Sequence, residues 1–346
     1  MACKTHLLER GQFPVPSLTE RVMTERDRII ATLKRQPTDR IPKADSYWPE
    51  TVARWRKEGL PATANPYEHF QTQPMVQMGF DWSLRLPKKV FEETPRYVVE
   101  QDANGLVWQR FKTDQSYSPP RILDALIKTR QDWERHKHLM APSPARVPAD
   151  AKQRIAAAQK AGKFVTLDFR EHYRTVWAKL GVEQTLEIMA TDPDWFCDMC
   201  AAYNQCVIES LKPAIADGIQ FDGCWVYGDI AYRNALMFSP RMFRELLFPY
   251  HKELYTFLNA RGIPVIYHCD GDMREALPML VDAGIKVLQP MEAKANMDVR
   301  ELKPLYGDRL VFFGNMDVRE MSKTRADIER EVWSKLTVAM KGGGYM

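Results

Sequence analysis

His268 and Asp270 lie two residues apart in a segment with the composition of a β-strand. Side chains two apart in an extended chain leave it on the same side, so the imidazole and the carboxylate face one space. Together they can share a Zn²⁺ ion or act in acid–base chemistry. The alternative is that Asp270 caps the next helix, but Asp272 and Glu275 form a capping-box pattern of their own. We therefore predict a functional role for the pair, with metal binding as one form of it.

Three further residues lie where this chemistry needs partners. Tyr227 and Asp229 follow one predicted strand, and Glu292 follows another. Asp229 and Glu292 are candidates for further metal ligands or acid–base groups, and Tyr227 is a candidate for the pocket wall. Asp229 could instead make backbone hydrogen bonds in a turn. Glu292 could pair with a neighbouring Lys or Arg, and both alternatives stay open.

A second polar group follows an earlier apolar run. Directly after that run come Asp168, Arg170, Glu171 and His172. An arginine there can bind a substrate carboxylate through two parallel hydrogen bonds. Asn315 takes the corresponding place after a later predicted strand. We predict substrate-binding roles for Arg170, His172 and Asn315, and the alternative for the first two is a solvated helix start.

The elements that would position these residues become regular from residue 163 onwards. Short apolar runs alternate with helical stretches, and the predicted strands are 164–169, 219–226, 263–268, 285–289 and 309–313. This alternation predicts repeated βα units and a parallel sheet. No Gly-x-Gly-x-x-Gly follows any of these strands, which argues against a doubly wound nucleotide-binding sheet. We predict an α/β fold, a (β/α)8 TIM barrel, with reactive groups at the carboxyl ends of its strands.

The chain is predicted to form a single barrel domain over residues 21–346, preceded by an N-terminal arm over residues 1–20. The N-terminal third departs from the regular pattern, because strand-like residues 96–100 and 105–111 flank a turn. This arrangement predicts a β-hairpin excursion. Residues 342–346 have the character of the beginning of one more strand. A truncated C-terminus is therefore expected.

The bulk composition excludes several classes of function. Lys and Arg number 49 against 45 Asp and Glu, a formal net charge of +4 with the two signs interspersed. That balance gives no electrostatic basis for binding nucleic acid or an acidic membrane surface. No apolar stretch is long enough to span a membrane, and 6 cysteines in 346 residues are typical of reduced thiols. We expect a cytoplasmic enzyme with a small-molecule substrate, and assembly into a homodimer is left open.

Several motifs in the C-terminal half occur together and in a fixed order in one protein family. They are Tyr227-Gly228-Asp229, Phe238-Ser239-Pro240, Phe248-Pro249-Tyr250-His251-Lys252, His268-Cys269-Asp270-Gly271, Gly314-Asn315-Met316-Asp317 and Gly343-Gly344-Tyr345. Residues 28–33 and 39–42 add to the likeness near the N-terminus. On these residues the chain resembles the uroporphyrinogen decarboxylase family, which includes corrinoid-linked methyltransferases. The resemblance implies a (β/α)8 barrel, in agreement with the strand pattern.

The resemblance implies two competing activities. Uroporphyrinogen decarboxylases need no metal or cofactor, and they hold the carboxylates of a tetrapyrrole with an Arg-rich segment after the first strand. In this chain the matching residues, 42–50, lack the paired arginines, which removes the charge match to a polyanionic porphyrinogen. The methyltransferase branch holds zinc with a His-x-Cys pair and a later Cys. Here Asp270 takes the place of the first Cys and the later Cys is absent, and a carboxylate leaves zinc more electrophilic than a thiolate does.

We therefore predict a methyltransferase that moves a methyl group between a small, for example methoxylated, substrate and a corrinoid (cobalamin) on a partner protein. This interpretation assigns zinc to His268, Asp270 and Glu292, and catalytic roles to Asp229, His268 and Tyr227. One alternative is a cofactor-free decarboxylase in which Asp229 and His268 manage the proton that replaces CO₂. The other is a non-catalytic binding protein, since a fold does not fix a function.

Overall fold

The structure is a computed structural model that describes residues 23–112 and 120–346. The arm predicted for residues 1–20 lies outside the described residues. The strands in these ranges are β1 (Val76–Gly79), β2 (Lys89–Glu93), β3 (Tyr97–Gln101), β4 (Leu106–Phe111), β5 (Arg121–Ala125), β6 (Val165–Arg170), β7 (Gly223–Tyr227), β8 (Val265–His268), β9 (Ile285–Gln289) and β10 (Val311–Phe312).

Helices occupy much of the rest of the described chain. They are α1 (Glu25–Leu33), α2 (Pro49–Lys57), α3 (Pro66–His69), α4 (Arg130–His136), α5 (Ala151–Lys160), α6 (His172–Leu180), α7 (Val182–Thr191), α8 (Pro193–Ala216), α9 (Pro240–Met242), α10 (Phe248–Asn259), α11 (Leu277–Ala283), α12 (Val299–Tyr306), α13 (Val318–Met321) and α14 (Arg325–Ala339). Short 3-10 helices cover Lys137–Met140, Pro144–Arg146 and Ala293–Ala295. Among the helices described, none combines the length and the apolar character needed to cross a membrane.

Six of the strands form a parallel sheet in the order β1-β6-β7-β8-β9-β10. Its register places Tyr227, the last residue of β7, opposite Arg170 on β6 and His268 on β8. His268 in turn lies opposite Gln289 on β9. The last residues of four successive strands therefore lie side by side along one edge. Active sites of parallel α/β proteins form at such an edge.

Two isolated parallel bridges add a segment at each side of this sheet. Ala44 pairs with Gln73, just before β1, and Phe312 on β10 pairs with Tyr345. With these segments the sheet has eight parallel members, the strand number of the predicted barrel. The mixed α/β fold with a parallel sheet is confirmed, and the strand expected near Tyr345 is paired as predicted. Closure of the sheet into a barrel stays a prediction.

Buried apolar side chains cover both faces of the parallel sheet. Successive side chains of a strand point to opposite faces, so alternate residues belong to two different clusters. One cluster contains Ala44, Phe164, Trp225, Ile266, Val287, Val311 and Met346. The other joins the strands to the helices and includes Leu167, Val226, Tyr267, Leu288 and Phe312. Burial on both faces explains why the strands are continuous apolar runs in the sequence.

Side-chain caps begin several of the helices that follow the strands. Asp192 caps α8 and Pro193 takes its first position, where the missing N–H of proline costs no hydrogen bond. Ser239 caps α9 in the same way. Pro249 lies at the start of α10, directly after a π-helical turn over Phe243–Leu247.

The predicted β-hairpin is confirmed, but it belongs to a larger antiparallel sheet in the order β2-β3-β4-β5. β3 and β4 form the hairpin, and β2 and β5 flank it. The sequence pattern does not predict β2, because all five of its residues are exposed and three are charged. Such a strand lacks the alternation of apolar and polar residues that marks a half-buried strand.

Candidate functional site

Three side chains with metal-binding atoms meet at the carboxyl ends of β7 and β8. One oxygen each of Asp229 and Asp270 and one ring nitrogen of His268 lie within 4.8 Å of one another. His268 and Asp270 line the same cavity, as the two-residue spacing predicts. Cys269 between them is buried, and its thiol accepts the backbone N–H of Ile230. The cysteine therefore faces away from the cluster.

The imidazole of His268 is held by Gln289 at the end of β9. Nδ1 of His268 donates to Oε1 of Gln289, because an amide oxygen can only accept a hydrogen bond. In a neutral imidazole this leaves Nε2 unprotonated, with its lone pair available for a metal or a proton. Nε2 faces Oδ1 of Asp229 at 3.5 Å. Gln289 thus determines which nitrogen the site can use.

Asp229 has one oxygen with a partner and one without. Oδ2 accepts a hydrogen bond from Nη1 of Arg174, whereas Oδ1 is buried and has no hydrogen-bond partner among the described residues. A buried carboxylate oxygen without a partner costs free energy. The backbone of Asp229 has φ 46°, in the left-handed region that Asp tolerates better than most residues. A cation or a hydrogen-bond donor at Oδ1 would satisfy this atom.

The spacing of these atoms fits a zinc ion. Bonds of about 2.1 Å from tetrahedral zinc to nitrogen and oxygen place two ligand atoms about 3.4 Å apart. The distance between Nε2 of His268 and Oδ1 of Asp229 is 3.5 Å, and that oxygen needs a partner. Asp270 completes a set of three protein ligands. Such a set leaves the fourth position of a catalytic zinc site open.

The carboxyl group of Asp270 lies in a crowded electrostatic environment. Desolvation raises its pKa, the imidazole of His268 opposes this, and the carboxylates of Glu292 and Asp229 raise the pKa further. Like charges at such short range disfavour full ionisation of every carboxyl group. A bound cation would relieve this repulsion, which is a second physical reason to expect one here.

Glu292, which the sequence predicts as a metal ligand, lies outside the group formed by Asp229, His268 and Asp270. Oε2 of Glu292 accepts the backbone N–H of Gly271 at 2.9 Å, and Oε1 pairs with Nζ of Lys294 at 2.8 Å. The pairing with a neighbouring lysine is the alternative that the sequence left open. Both oxygens serve the loops that carry the site. Asp229 is the third member of the group instead.

The capping box expected at Asp272 and Glu275 is wrong. Asp272 accepts hydrogen bonds from the backbone and the guanidinium of Arg274, and the next helix, α11, begins only at Leu277. The expectation that Asp270 does not serve as a cap nevertheless stands, because its side chain lines the cavity. Asp270 is therefore not a helix cap, although the capping box on which that prediction rests is absent.

Two residues of the cluster, His268 and Asp270, line a cavity of about 1240 Å³, whereas Asp229 is not among the residues that line it. Aromatic rings make up much of this wall, namely Trp48, Trp225, Tyr227 and Phe313. The ring of Trp225 stacks on His268 at 6.1 Å, and the ring of Tyr227 meets the same imidazole edge-on at 5.5 Å. These contacts fix the plane of the imidazole. The volume exceeds the roughly 300–1,000 Å³ of ordinary ligand pockets, which leaves room for a large co-substrate.

The hydroxyl of Tyr227 is held by the side-chain amide of Gln77 on β1, at 2.8 Å from its nitrogen. Burial raises the pKa of Tyr227, so its hydroxyl stays protonated at neutral pH. Tyr227 also lines a second, smaller pocket. The predicted place of Tyr227 on the wall of the main cavity is confirmed.

The three predicted substrate-binding residues are not among those that line the main cavity. Arg170 lines the smaller pocket. His172 is buried, and its Nε2 meets Oδ1 of Asn204 at 2.7 Å. Asn315 is buried too, accepts the N–H of Val299 and donates to two backbone carbonyls. Because these side chains are buried inside the protein, His172 and Asn315 position neighbouring loops and helices, which does not support direct contact with a substrate.

Three residues that shape the site escape the sequence analysis, namely Gln77, Arg174 and Gln289. Gln289 ends a predicted strand, so the rule that identified His268 could have identified it as well. Arg174 lies inside α6 and reaches Asp229 across 55 positions of sequence. Gln77 lies on β1, which the irregular N-terminal third conceals. No sequence pattern indicates these two contacts.

Next to the site lies a fully buried group formed by Glu171, His172 and His251. Oε1 of Glu171 is 2.6 Å from Nε2 of His251, and Oε2 caps α6 by accepting the N–H of Tyr173. Burial raises the pKa of Glu171 to about 7 and lowers the pKa of each histidine to about 3. Both directions favour the neutral forms. His251 is therefore neutral near pH 7, and its contact with Glu171 is a hydrogen bond to an uncharged imidazole.

Gly271, directly after the cluster, is expected to tolerate no side chain. Its φ is +87°, and a Cβ atom would lie 2.5 Å from the backbone oxygen of Tyr232. Gly262→Ala is the matched control, because Gly262 has φ +71° but nothing within 4 Å of the added atom. Strain at a positive φ costs about 1–3 kcal/mol in both variants. Because of overpacking, Gly271→Ala is expected to lose about 1–3 kcal/mol more free energy of unfolding than Gly262→Ala. Urea unfolding measures both losses. Equal losses in the two variants would contradict the close contact at Gly271.

Asp168, which lines the smaller pocket, is expected to make stability depend on pH. Burial raises its pKa to about 7, against the opposing hydrogen bond from Thr166. The native state therefore keeps a proton that the unfolded chain loses near pH 4, and the wild type loses up to about 1.4 kcal/mol per pH unit as pH rises to 7. Asp168→Asn lacks this loss, so its advantage over the wild type should grow between pH 5 and pH 7.

Urea unfolding at several pH values measures this difference for Asp168→Asn. The matched control is Asp308→Asn, because Asp308 is exposed. Its difference from the wild type should stay constant with pH. A constant difference for Asp168→Asn as well would show that Asp168 is ionised in the native protein.

Comparison with known proteins adds three findings. The sequence model of the family described as "Uroporphyrinogen decarboxylase (URO-D)" matches residues 177–346. A solved structure of a methyltransferase from Methanosarcina mazei is similar with a TM-score of 0.59 and 14% sequence identity, over 93% of this chain and 90% of that chain. At this identity the likeness shows the fold alone. No curated protein has a significant sequence match to the chain.

Proposed function

Because the chain is a divergent member of the uroporphyrinogen decarboxylase family, we propose that it is a metal-assisted methyltransferase acting between a small methoxylated substrate and a corrinoid. The observation that carries the proposal is the convergence of Asp229, His268 and Asp270, whose ligand atoms lie within 4.8 Å of one another, with His268 and Asp270 on the wall of the cavity. The fold shared with the methyltransferase from Methanosarcina mazei supports this choice of reaction. In this proposal the corrinoid is carried by a partner protein.

Each of the three ligands is prepared for a cation by a neighbouring group. Gln289 holds Nδ1 of His268, so Nε2 is free of a proton and available to bind. Arg174 holds one oxygen of Asp229 and leaves the other uncommitted. A zinc ion on these oxygen and nitrogen ligands would supply Lewis acidity toward an ether oxygen. This chemistry differs from thiol activation at a thiolate-bound zinc.

The proposed transfer balances as follows. The methyl group leaves the ether oxygen and bonds to the cobalt of cob(I)alamin, which supplies the electron pair. The electrons of the broken C–O bond stay on the oxygen, and the product takes up a proton from solvent. The hydroxyl of Tyr227, which keeps its proton, donates a hydrogen bond to that oxygen. Gln77 positions this hydroxyl.

A second candidate is a decarboxylase for a carboxylated tetrapyrrole, and the cavity volume favours it. The cations on the cavity wall weaken this alternative. Arg40 pairs with Glu25, and Nζ of Lys43 donates to the backbone oxygen of Phe70. Among the described residues that line the cavity these two are the cations, and Glu25 offsets part of the charge of Arg40, so a polyanion would meet little positive charge. The decarboxylase therefore ranks second.

The proposed function is tested with zinc-loaded protein, cob(I)alamin and a panel of aromatic methyl ethers. Methylcobalamin and the demethylated phenol are expected in equal amounts. Asp229→Asn should lose this activity, while the exposed control Asp308→Asn should keep it. Release of CO₂ from a carboxylated porphyrinogen by metal-free protein would contradict the proposal and establish the decarboxylase. A protein inert in both assays that still binds a small ligand would instead be a binding protein.

A further inference from the structure

A second pocket, of about 280 Å³, shares Tyr227 with the lining of the main cavity. Its charged lining residues are Asp81, Asp168, Arg170 and Lys179. Its volume suits a small molecule and excludes a tetrapyrrole. The methyl-transfer proposal uses none of its charged residues.

Lys179 is the most unusual residue of this pocket. It lies on α6 with only 2% of its surface exposed, and its ammonium group donates to the backbone oxygen of Thr175 at 3.0 Å. In the described part of the chain, no carboxylate forms an ion pair with it. Burial and then the charge of Arg170 lower the pKa of Lys179 to about 7. A buried ammonium without a counter-ion is unstable, and it gains from any anion that reaches it.

Arg170 adds a second positive charge to the same pocket. Over residues 23–112 and 120–346, its guanidinium has no hydrogen-bond or ion-pair partner. By surface area Arg170 is exposed, but desolvation of its guanidinium by surrounding protein atoms and then the charge of Arg174 lower its pKa. Arg174 is itself compensated by Asp229, whereas Arg170 and Lys179 repel each other. An anion bound to both would remove this repulsion.

Asp168 lines the same pocket, but its carboxyl group does not cancel the charges of Arg170 and Lys179. Asp168 lines the pocket with a pKa raised to about 7, first by burial. Its side chain accepts a hydrogen bond from the hydroxyl of Thr166. When protonated, Asp168 can also donate a hydrogen bond to a bound anion. Asp81 lies at the rim, where it pairs with Arg85.

We propose that this pocket binds a small carboxylate, with Arg170 and Lys179 as its cationic partners and Asp168 as a hydrogen-bond donor. An arginine provides two parallel donors for a carboxylate, and a buried lysine adds a full charge. The carboxylate has two sources that share this chemistry. It is either a free small acid or the carboxylate of a larger substrate whose other end passes Tyr227 into the main cavity.

The test measures carboxylate binding to the metal-free protein by calorimetry at constant ionic strength. The probes are acetate, malonate and 4-methoxybenzoate, with chloride as the reference anion. Saturable binding is expected, and Arg170→Gln and Lys179→Met should each weaken it by about 10- to 100-fold, because each removes a charged hydrogen bond. Lys179→Arg should keep part of the affinity. Lys212→Met is the matched control, because Lys212 is exposed and pairs with Glu209.

Binding should also strengthen as pH falls from 8 to 6. Over this range Lys179 gains its charge and Asp168 becomes a donor, since both titrate near pH 7. The other ionisable groups that act on Lys179 are Arg170, Asp102, Cys200 and Cys206. Of these, Arg170 keeps its charge between pH 6 and pH 8, because the ordinary pKa of arginine lies far above this range. An affinity that does not change with pH would contradict the assigned partners.

The outcomes separate the two sources and the two proposals. Binding of acetate or malonate indicates a free acid, and binding of 4-methoxybenzoate alone indicates a substrate carboxylate. No saturable binding of any probe, or equal binding by Arg170→Gln and the wild type, overturns the proposal. If Lys179→Met does not fold, Arg170→Gln alone still tests the proposal. Zinc affinity, measured separately, should be unchanged in both variants. If carboxylate binding is not found, the proposed methyl transfer is therefore not contradicted.

Discussion

His268→Ala is expected to lower the zinc affinity of the protein by more than about 100-fold. Loss of an outer-shell partner alone typically costs about 10- to 100-fold in metal affinity, and loss of a direct ligand costs more. His268 provides the single nitrogen ligand, and its lone pair faces the uncommitted oxygen of Asp229. Competition titration with a chromophoric chelator measures the affinity. Gln289→Leu should fall in the 10- to 100-fold range, because it releases Nδ1 without removing a ligand.

The matched control for this titration is His138→Ala, because His138 is exposed and does not line either pocket. Its zinc affinity should equal that of the wild type. Retention of tight zinc binding in His268→Ala would contradict the assigned site. If His268→Ala keeps tight zinc binding and His251→Gln loses it, the metal is bound instead by the buried group of Glu171, His172 and His251.

Glu171→Ala is expected to lower the free energy of unfolding by about 3–5 kcal/mol. The change removes the cap of α6, which costs about 1 kcal/mol, and leaves Nε2 of His251 buried without a partner, which costs about 1–3 kcal/mol. The volume of the lost side chain adds a cavity. Since a typical protein has about 5–15 kcal/mol of stability, urea unfolding should resolve this effect easily.

Two further variants give this prediction its controls. Glu171→Gln keeps the shape and the capping oxygen, and its amide can donate to His251, so its loss should be about 1 kcal/mol. Glu183→Ala removes an exposed glutamate from the neighbouring α7 and should change stability by less than about 0.5 kcal/mol. A loss in Glu171→Ala as small as that of Glu183→Ala would show that Glu171 is hydrated.

The Glu171 variants also connect stability to the site. The cap at Glu171 sets the start of α6, and Arg174 lies in the first turn of that helix. Arg174 in turn holds Asp229. A frayed α6 should therefore weaken zinc binding indirectly, and Glu171→Gln should restore it. A purely local role for Glu171 would leave zinc affinity unchanged in both variants.

The part of the site that the sequence predicts is the part carried by strand ends. Periodicity and chain direction suffice to place Tyr227, Asp229, His268 and Asp270 at one edge of a parallel sheet, because the carboxyl ends of neighbouring parallel strands lie together. The same reasoning predicts the hairpin and the alternation of strands and helices.

The part that the sequence misses depends on contacts between distant residues. Glu292 was assigned to the metal, but the N–H of Gly271 and the charge of Lys294 hold it elsewhere. No periodic pattern reveals those partners. Arg174 was missed because it lies on a helix, where its direction depends on how α6 packs against the sheet. Burial of His172 is likewise a result of packing, which a local pattern of polar residues does not indicate.

X-ray absorption at the zinc edge of the zinc-loaded protein tests the central claim most directly. The three assigned ligands predict a first shell of nitrogen and oxygen alone at about 2.0–2.2 Å, with the pattern of a single imidazole. In Asp229→Asn the number of protein ligands should fall. A sulfur neighbour at about 2.3 Å would contradict the assignment, because it would require a cysteine in place of Asp229 or Asp270.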